Sequence, residues 1–162
     1  SGLTGRGEDS PVGGAEAGDV RNPADPEGWH QLYEADGPGF RRARRIEVQR
    51  DDAAGLIRIE AAFQDSNKRK NGTRGAIHEY NISATADLAT GRLLTLVPEP
   101  RILPFGECPG AVANTQRLVG RTLSEIREAV LEQLRGTQGC THLNDALRAL
   151  ADVPKLAAYL AA

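Results

Sequence analysis

Both cysteines of the chain and one of its three histidines fall within residues 106–143. This stretch opens with Gly-Glu-Cys-Pro-Gly, which contains Cys108, and closes with Gly-Cys-Thr-His-Leu, which contains Cys140 and His142. Thiolates and neutral imidazoles are soft ligands, and zinc is the metal that such sets most often bind in proteins. Together with His78, these side chains therefore predict a metal site, with zinc as the first candidate.

Cys140 stands immediately before a predicted helix, where backbone N–H groups and the helix dipole stabilise a thiolate. The thiolate is the species that binds a metal or attacks an electrophile. Cys108 lies in a loop that prolines and glycines make rigid, which preorganises it as a ligand. His142 follows Cys140 by two residues, so both can reach one ion only at the very start of the helix.

Simpler interpretations of the same residues stay open. Free cysteines are usually small buried hydrophobes, and a histidine on an apolar strand face is usually a hydrogen-bonded core residue. A disulfide between Cys108 and Cys140 is a third interpretation. The metal site is favoured because both cysteines and two of the three histidines occupy turns or core-facing positions.

The elements that must position these residues follow from the pattern of apolar residues. Alternation with period two predicts four antiparallel strands, near residues 44–51, 56–65, 76–88 and 92–97. On the third strand, His78 and Tyr80 share the apolar face, whereas Glu79 points to the opposite one. One face of this sheet is expected to be covered by helices and the other to be wet.

Helical spacing follows the strands. It predicts a short helix over 110–119, a second one after a capping box at 122–125, a third from Thr141 or His142, and a last turn after Pro154. Strands first and helices last indicate an α+β fold, in which three or four C-terminal helices pack on one face of the sheet.

The composition limits the domain organisation and the function. Residues 1–43 are rich in Gly, Pro and acidic residues, which predicts a flexible tail or linker, and we expect residues 44–162 to form one metal-binding domain. A net charge of -2 gives no general attraction to nucleic acid or to anionic membranes. No apolar run reaches the ~18 residues needed to span a bilayer, and no secretory signal is evident, so we expect a cytoplasmic protein without a membrane segment.

A basic stretch lies between the second and third predicted strands, within residues 66–75. It could hold a phosphate or carboxylate of a ligand, as could the arginines of residues 41–45; a solvated loop tip is the simpler interpretation. The four candidate anion-binding residues of the stretch are Lys68, Arg69, Lys70 and Arg74.

The order of these motifs resembles an uncharacterised bacterial domain-of-unknown-function family over about residues 44–160. The resemblance is carried by Ile-His-Glu at 77–79, a Cys after a proline-rich loop, Leu-Val-Gly at 118–120, and above all Gly-Cys-Thr-His-Leu at 139–143. The family implies no activity, and the resemblance mainly supports the site.

A looser resemblance, to the NifU/IscU iron–sulfur scaffold family, implies a zinc ion or an iron–sulfur cluster. Cys108 and Cys140 match the second and last cysteines of that family. The first cysteine is missing here, His78 stands in its place, and the last site has Cys-x-His instead of adjacent His-Cys.

Two functions of different classes follow. In the first, His78, Cys108 and Cys140 hold zinc with one position open, and Glu79, Tyr80 or His142 acts as acid or base. Such an enzyme would perform lyase, isomerase or hydrolase chemistry on a small anionic substrate. In the second, His142 closes the site as a fourth ligand, and the domain is a non-catalytic zinc, iron or iron–sulfur scaffold for a protein partner.

Overall fold

The first half of the domain is a four-stranded antiparallel sheet with strand order β1-β2-β3-β4. The computed structural model describes residue 24 and residues 36–103 and 108–160, with the backbone alone at residues 108 and 109. The strands are β1 (Gly39–Asp51), β2 (Leu56–Lys68), β3 (Arg74–Asp87) and β4 (Leu93–Ile102).

The second half is helical. Its α-helices are α1 (Cys108–Asn114), α2 (Ile126–Gln133), α3 (Thr141–Arg148) and α4 (Val153–Ala158). Short 3-10 helices lie between them, at Thr115–Leu118, Leu123–Glu125, Gly136–Gln138 and Ala149–Asp152. The predicted α+β arrangement, an antiparallel sheet followed by C-terminal helices, is therefore confirmed.

The strands are longer than their apolar pattern indicated. β1 begins at Gly39, before the predicted boundary at residue 44. Half of the polar stretch 66–75 is strand, since β2 continues to Lys68 and β3 begins at Arg74. The two strands pair up to a turn closed by Gly72, whose φ of 86° suits glycine. Cross-strand pairing thus extends into residues that lack any alternation of apolar side chains.

The core lies between the sheet and the helices. Alternation places the odd positions of β2 and the even positions of β3 on the covered face, and the helices add leucines and Ile126. The largest side chains buried there include Ile59, Phe63, Tyr80, Ile82, Leu118, Leu123, Ile126, Leu143 and Leu147. Each such burial contributes about 1.5–3 kcal/mol of transfer free energy, so this layer fixes where α3 lies on the sheet.

The other face of the sheet is polar, as expected of an antiparallel sheet with helices on one side. Cross-strand hydrogen bonds there join Ser83 to Glu60 and Gln64 to Glu79, both at 2.9 Å. No helix in the described part of the chain has the length and apolarity needed to cross a membrane.

Candidate metal centre

A carboxylate and an imidazole lie at one end of the covered face of the sheet, next to the apolar core residues. Asp65 continues the core-facing odd positions of β2, and His78 continues the core-facing even positions of β3. The two residues are directly paired in the β2–β3 register, and a bulge follows between Asp65 and Ser66. Cross-strand partners lie close together on one face, so the pairing brings both side chains to one place beneath the helices.

The third member of the cluster comes from the helical layer. His142 is the second residue of α3, and its ring stacks on that of His78 with centroids 3.4 Å apart and planes 21° from parallel. Its Nε2 atom lies 3.5 Å from Oδ2 of Asp65. One potential ligand atom from each of Asp65, His78 and His142 lies within 4.8 Å of the other two. Two strands and a helix thus converge on one group of metal-binding side chains.

Arg42 neutralises the buried carboxylate of this group. It lies opposite Asp65 in the β1–β2 register and donates two hydrogen bonds to it, from Nε to Oδ1 and from Nη2 to Oδ2, both at 2.8 Å. Asp65 is only 1% exposed, and a buried charge is costly unless it is paired. The hydrogen bonds to Asp65 raise the pKa of Arg42 and fix the orientation of the carboxylate.

One ring nitrogen of His78 is buried without a hydrogen-bond partner among the described residues. The residue is 8% exposed, and the unpartnered nitrogen is Nδ1. The nearest carboxylate oxygen, Oδ2 of Asp65, is 3.8 Å away, which is beyond hydrogen-bond distance. A buried polar atom left unsatisfied costs about 1–3 kcal/mol, so folding alone does not account for a histidine at this position.

Both histidines are poised in the neutral form. Burial lowers the pKa of His78, and the neighbouring His142 lowers it further, against the opposing effect of Asp65. Burial is also the main cause that lowers the pKa of His142. An imidazole must be neutral to bind a metal, so these shifts keep two nitrogen ligands available at neutral pH.

Two imidazoles and one carboxylate suit zinc and ferrous iron, and three protein ligands leave positions for water or substrate. The lone pairs of a ring nitrogen lie in the ring plane, so nearly parallel rings cannot both point at one ion. Coordination by both histidines therefore requires one ring to turn. His142, with a side chain 26% exposed at the start of α3, has the room to do so.

The sequence-predicted ligands are distributed unevenly around this group. His78 and His142 come together, as expected for a shared site. Cys140 is the N-cap residue of α3, and its Sγ accepts a hydrogen bond from the Tyr80 hydroxyl at 3.5 Å, but it is not a member of the group. Cys108 begins α1, and its side chain lies outside the described residues. Ligation by either cysteine stays a prediction.

Two of the three predicted acid–base residues, Tyr80 and Glu79, occupy opposite faces of β3, and the third, His142, lies on α3. Tyr80 is fully buried two residues from His78, on the same face, and contacts Cys140. Glu79 lies on the polar face, where it accepts a hydrogen bond from Gln64 at 2.9 Å. A carboxylate on that face is separated from the His78 ring by the sheet itself.

The basic residues lie at the same end of the sheet as the cluster, because they flank the turn that follows Asp65 and precedes His78. Arg74 donates a hydrogen bond to Ser66 at 3.2 Å, and Arg69 donates one to Thr73 at 3.2 Å. Lys68 ends β2, and Lys70 is exposed in the turn. Anion binding by Lys68, Arg69, Lys70 and Arg74 stays a prediction.

The first residue of the Gly-Cys-Thr-His-Leu motif, Gly139, lies so close to Leu134 and Asn144 that no side chain fits there. A Cβ atom there would lie 2.3 Å from the Leu134 carbonyl oxygen and 2.6 Å from Nδ2 of Asn144. That amide donates to the same carbonyl at 2.9 Å, which ties α3 to the end of α2. The glycine thus lets α3 begin where His142 reaches the sheet.

We expect Gly139→Ala to lower the free energy of unfolding by about 1–3 kcal/mol, because backbone must move to admit the methyl group. Gly110→Ala is the matched control, since a Cβ at Gly110 meets nothing within 4 Å. Urea unfolding of both variants measures the difference. Equal stabilities would show that the close approach does not constrain the motif.

The comparison with known families gives one match. A family described as "Protein of unknown function (DUF2889)" matches residues 40–155, which include Asp65, His78 and His142. No curated protein and no solved structure matches the chain. The expected domain-of-unknown-function family is thereby confirmed, and the looser resemblance to iron–sulfur scaffolds stays a prediction.

Proposed function

We propose, from the premise that the chain belongs to the DUF2889 family, that its domain binds one divalent metal ion through Asp65, His78 and His142. The observation that carries this proposal is the buried, unpartnered Nδ1 atom of His78, beside a second histidine and a buried carboxylate. A metal ion would accept the lone pair of that Nδ1 atom and would bind the buried carboxylate of Asp65.

Zinc is the first candidate and iron the second, as for any site of two imidazoles and a carboxylate. Zinc is redox-inert, so chemistry at such a centre is polar. Asp65 is the only anionic ligand of the group and already shares its charge with Arg42. The ion would therefore keep most of its positive charge, which favours activation of a bound water or carbonyl oxygen.

The function that these features support best is a metal-dependent hydrolase, lyase or isomerase that acts on a small anionic substrate. Tyr80 supports it as an acid–base candidate, since it lies on the same face as His78. Glu79 does not support it, because it lies across the sheet from the cluster.

A non-catalytic site is the second candidate, and the origin of the ligands favours it. Asp65 and His78 belong to the sheet, whereas His142 belongs to α3. An ion bound by all three would fasten the helical layer to the sheet, and its binding free energy would add to folding. Ligation by Cys140 would close the site and make this candidate the better one.

Metal binding is tested on protein produced without a polyhistidine tag and stripped with a chelator. We expect calorimetric titration with Zn²⁺ to give about one equivalent, and Asp65→Asn and His142→Ala to weaken binding by a factor on the order of 100 or more, since each removes a ligand. Glu79→Gln is the control, because it removes a carboxylate that is next to His78 in β3 but lies on the opposite face of the sheet.

Three outcomes are decisive. Failure of the folded wild-type protein to bind Zn²⁺, Fe²⁺ or Co²⁺ would contradict the proposal. Equal weakening by Glu79→Gln and Asp65→Asn would point to a nonspecific effect of charge. Retained affinity in Cys140→Ser would leave the site open for substrate, whereas lost affinity would add Cys140 to the ligands and favour the non-catalytic role.

A further inference from the structure

We infer that the metal-loaded site binds a small carboxylate together with the ion, and that the two bind cooperatively. The inference rests on the proposed metal site and specifies the chemical class of its substrate. It follows from how the charges around Asp65 are already paired.

The only ligand charge in the cluster is compensated before any ion arrives. Both oxygens of Asp65 accept hydrogen bonds from Arg42, and an imidazole that binds a metal ion is neutral, so neither histidine would add a charge. Within the group of Asp65, His78 and His142, a divalent ion would find one carboxylate, shared with a guanidinium, and no second negative ligand. The positive charge of the ion would be left largely uncompensated beside Asp65 and His78, whose exposed fractions are 1% and 8%.

Further charged residues lie around Arg42 and Asp65, and positive charges outnumber negative charges among them. The carboxylate of Asp145, on α3, pairs with three guanidinium groups. Its Oδ2 atom lies 3.1 Å from Nη2 of Arg44 and 3.8 Å from Nη1 of Arg42, and its Oδ1 atom lies 3.4 Å from Nη2 of Arg148. Together with Asp65, three guanidinium groups thus face two carboxylates. The cluster carries one positive charge in excess, and a divalent ion would increase that excess.

A buried or half-buried positive charge without a partner is costly, so the loaded site favours an anion from solution. The chemistry of the surroundings selects a carboxylate. Guanidinium groups bind planar carboxylates through parallel N–H donors, and each has five such donors, of which the described contacts use a part. Asp145 shows that a carboxylate fits among these arginines. Arg44 and Arg148 are partly exposed, so a ligand from solvent can reach them.

The test uses Co²⁺ as the metal and acetate as the carboxylate. Metal-free protein is titrated with Co²⁺ in acetate and in perchlorate at equal ionic strength, with free Co²⁺ corrected for its acetate complex. We expect acetate to tighten Co²⁺ binding by a factor on the order of ten, in the usual range of coupling between two ligands, and to change the visible spectrum of bound Co²⁺. Linkage requires Co²⁺ to tighten acetate binding by the same factor.

Two variants locate the effect. Arg44→Gln should bind Co²⁺ but lose most of the acetate dependence, and Arg148→Gln is a second variant in case the first folds poorly. Arg45→Gln should keep the full dependence, since Arg45 pairs with Glu47 at 3.1 Å on the other face of β1. Circular dichroism confirms that each variant is folded.

The possible failures are distinguishable. Co²⁺ affinity that is the same in acetate and perchlorate would overturn the carboxylate inference and leave the metal site intact. Acetate that binds equally well with and without Co²⁺ would also overturn it, because the two would then be independent. Absence of Co²⁺ binding in either buffer would remove the proposed function and this inference with it.

Discussion

Replacing Arg42 by glutamine is expected to destabilise the metal-free domain by about 3 kcal/mol, near the lower end of the cost of breaking a buried ion pair. The reason is the environment of Asp65, which is 1% exposed and would lose both hydrogen bonds from the guanidinium. The lower end applies because the Arg42 side chain is itself 45% exposed, so solvent already screens part of the pair.

The stability that Arg42→Gln loses should be restored by a divalent ion. With Arg42 gone, Asp65 offers its whole charge to the metal, so the variant should bind Zn²⁺ more tightly than the wild type does. Excess Zn²⁺ should then recover most of the lost stability, because an ion that binds only the folded state stabilises it. Thermal unfolding with and without Zn²⁺ measures both effects.

Arg45→Gln is the matched control for this prediction. It is the same substitution on the same strand, but its partner Glu47 is exposed, and pairs of that kind contribute about 0–1 kcal/mol. If Zn²⁺ raised the melting temperature of Arg42→Gln no more than that of the control, Asp65 would not be a metal ligand.

The fold followed from the sequence wherever large aliphatic residues made the pattern. The odd positions from Ile57 to Phe63 lie on the covered face of β2, as their alternation predicts. The apolar residues after residue 122 lie on helices that pack against this face, as their helical spacing predicts. The ends of the strands did not follow, because residues 39–43, 66–68 and 74–75 pair through their backbones and carry side chains of no clear period. Backbone pairing does not need an apolar face, so composition alone could not find it.

The candidate site was predicted in part. His78 was identified because a polar residue interrupts an apolar strand face, and Asp65 interrupts the apolar face of β2 in the same way. The same signal in the sequence therefore also points to Asp65. The role of Arg42 was not accessible, since its partner lies 23 residues away and only the β1–β2 register joins them.

The cysteines are prominent in the sequence motif, but the geometry brings the histidines and Asp65 together instead. Cys140 and His142 are two residues apart, but Cys140 is the N-cap residue of α3 and has an extended backbone, so helical spacing does not fix the angle between the two side chains. Which residue of the sheet each of them contacts depends on how Leu143 and Leu147 pack in the core. The packed α3 presents His142 to Asp65 and Cys140 to Tyr80, and spacing alone could not separate these outcomes.

His78→Leu is expected to abolish metal binding while leaving the metal-free domain as stable as the wild type or more stable. Leucine has a similar volume and suits a site that is 8% exposed. It removes the Nδ1 atom, whose unsatisfied burial costs about 1–3 kcal/mol, and it gives up the stacking on His142, which is worth about 0.5–1.5 kcal/mol. The balance is a gain of about 1 kcal/mol or no change, opposite in sign to most substitutions of buried residues.

Urea unfolding of chelator-treated protein and titration with Zn²⁺ measure the two effects separately. A loss of affinity by a factor on the order of 100 or more, without a loss of stability, would show that His78 is kept for the ion and not for the fold. His142→Leu is the companion variant: the same loss of affinity with little change in stability is expected, because its side chain is 26% exposed. A loss of more than about 2 kcal/mol in metal-free His78→Leu would make the histidine a structural member of the core, as expected when a satisfied buried polar network is broken.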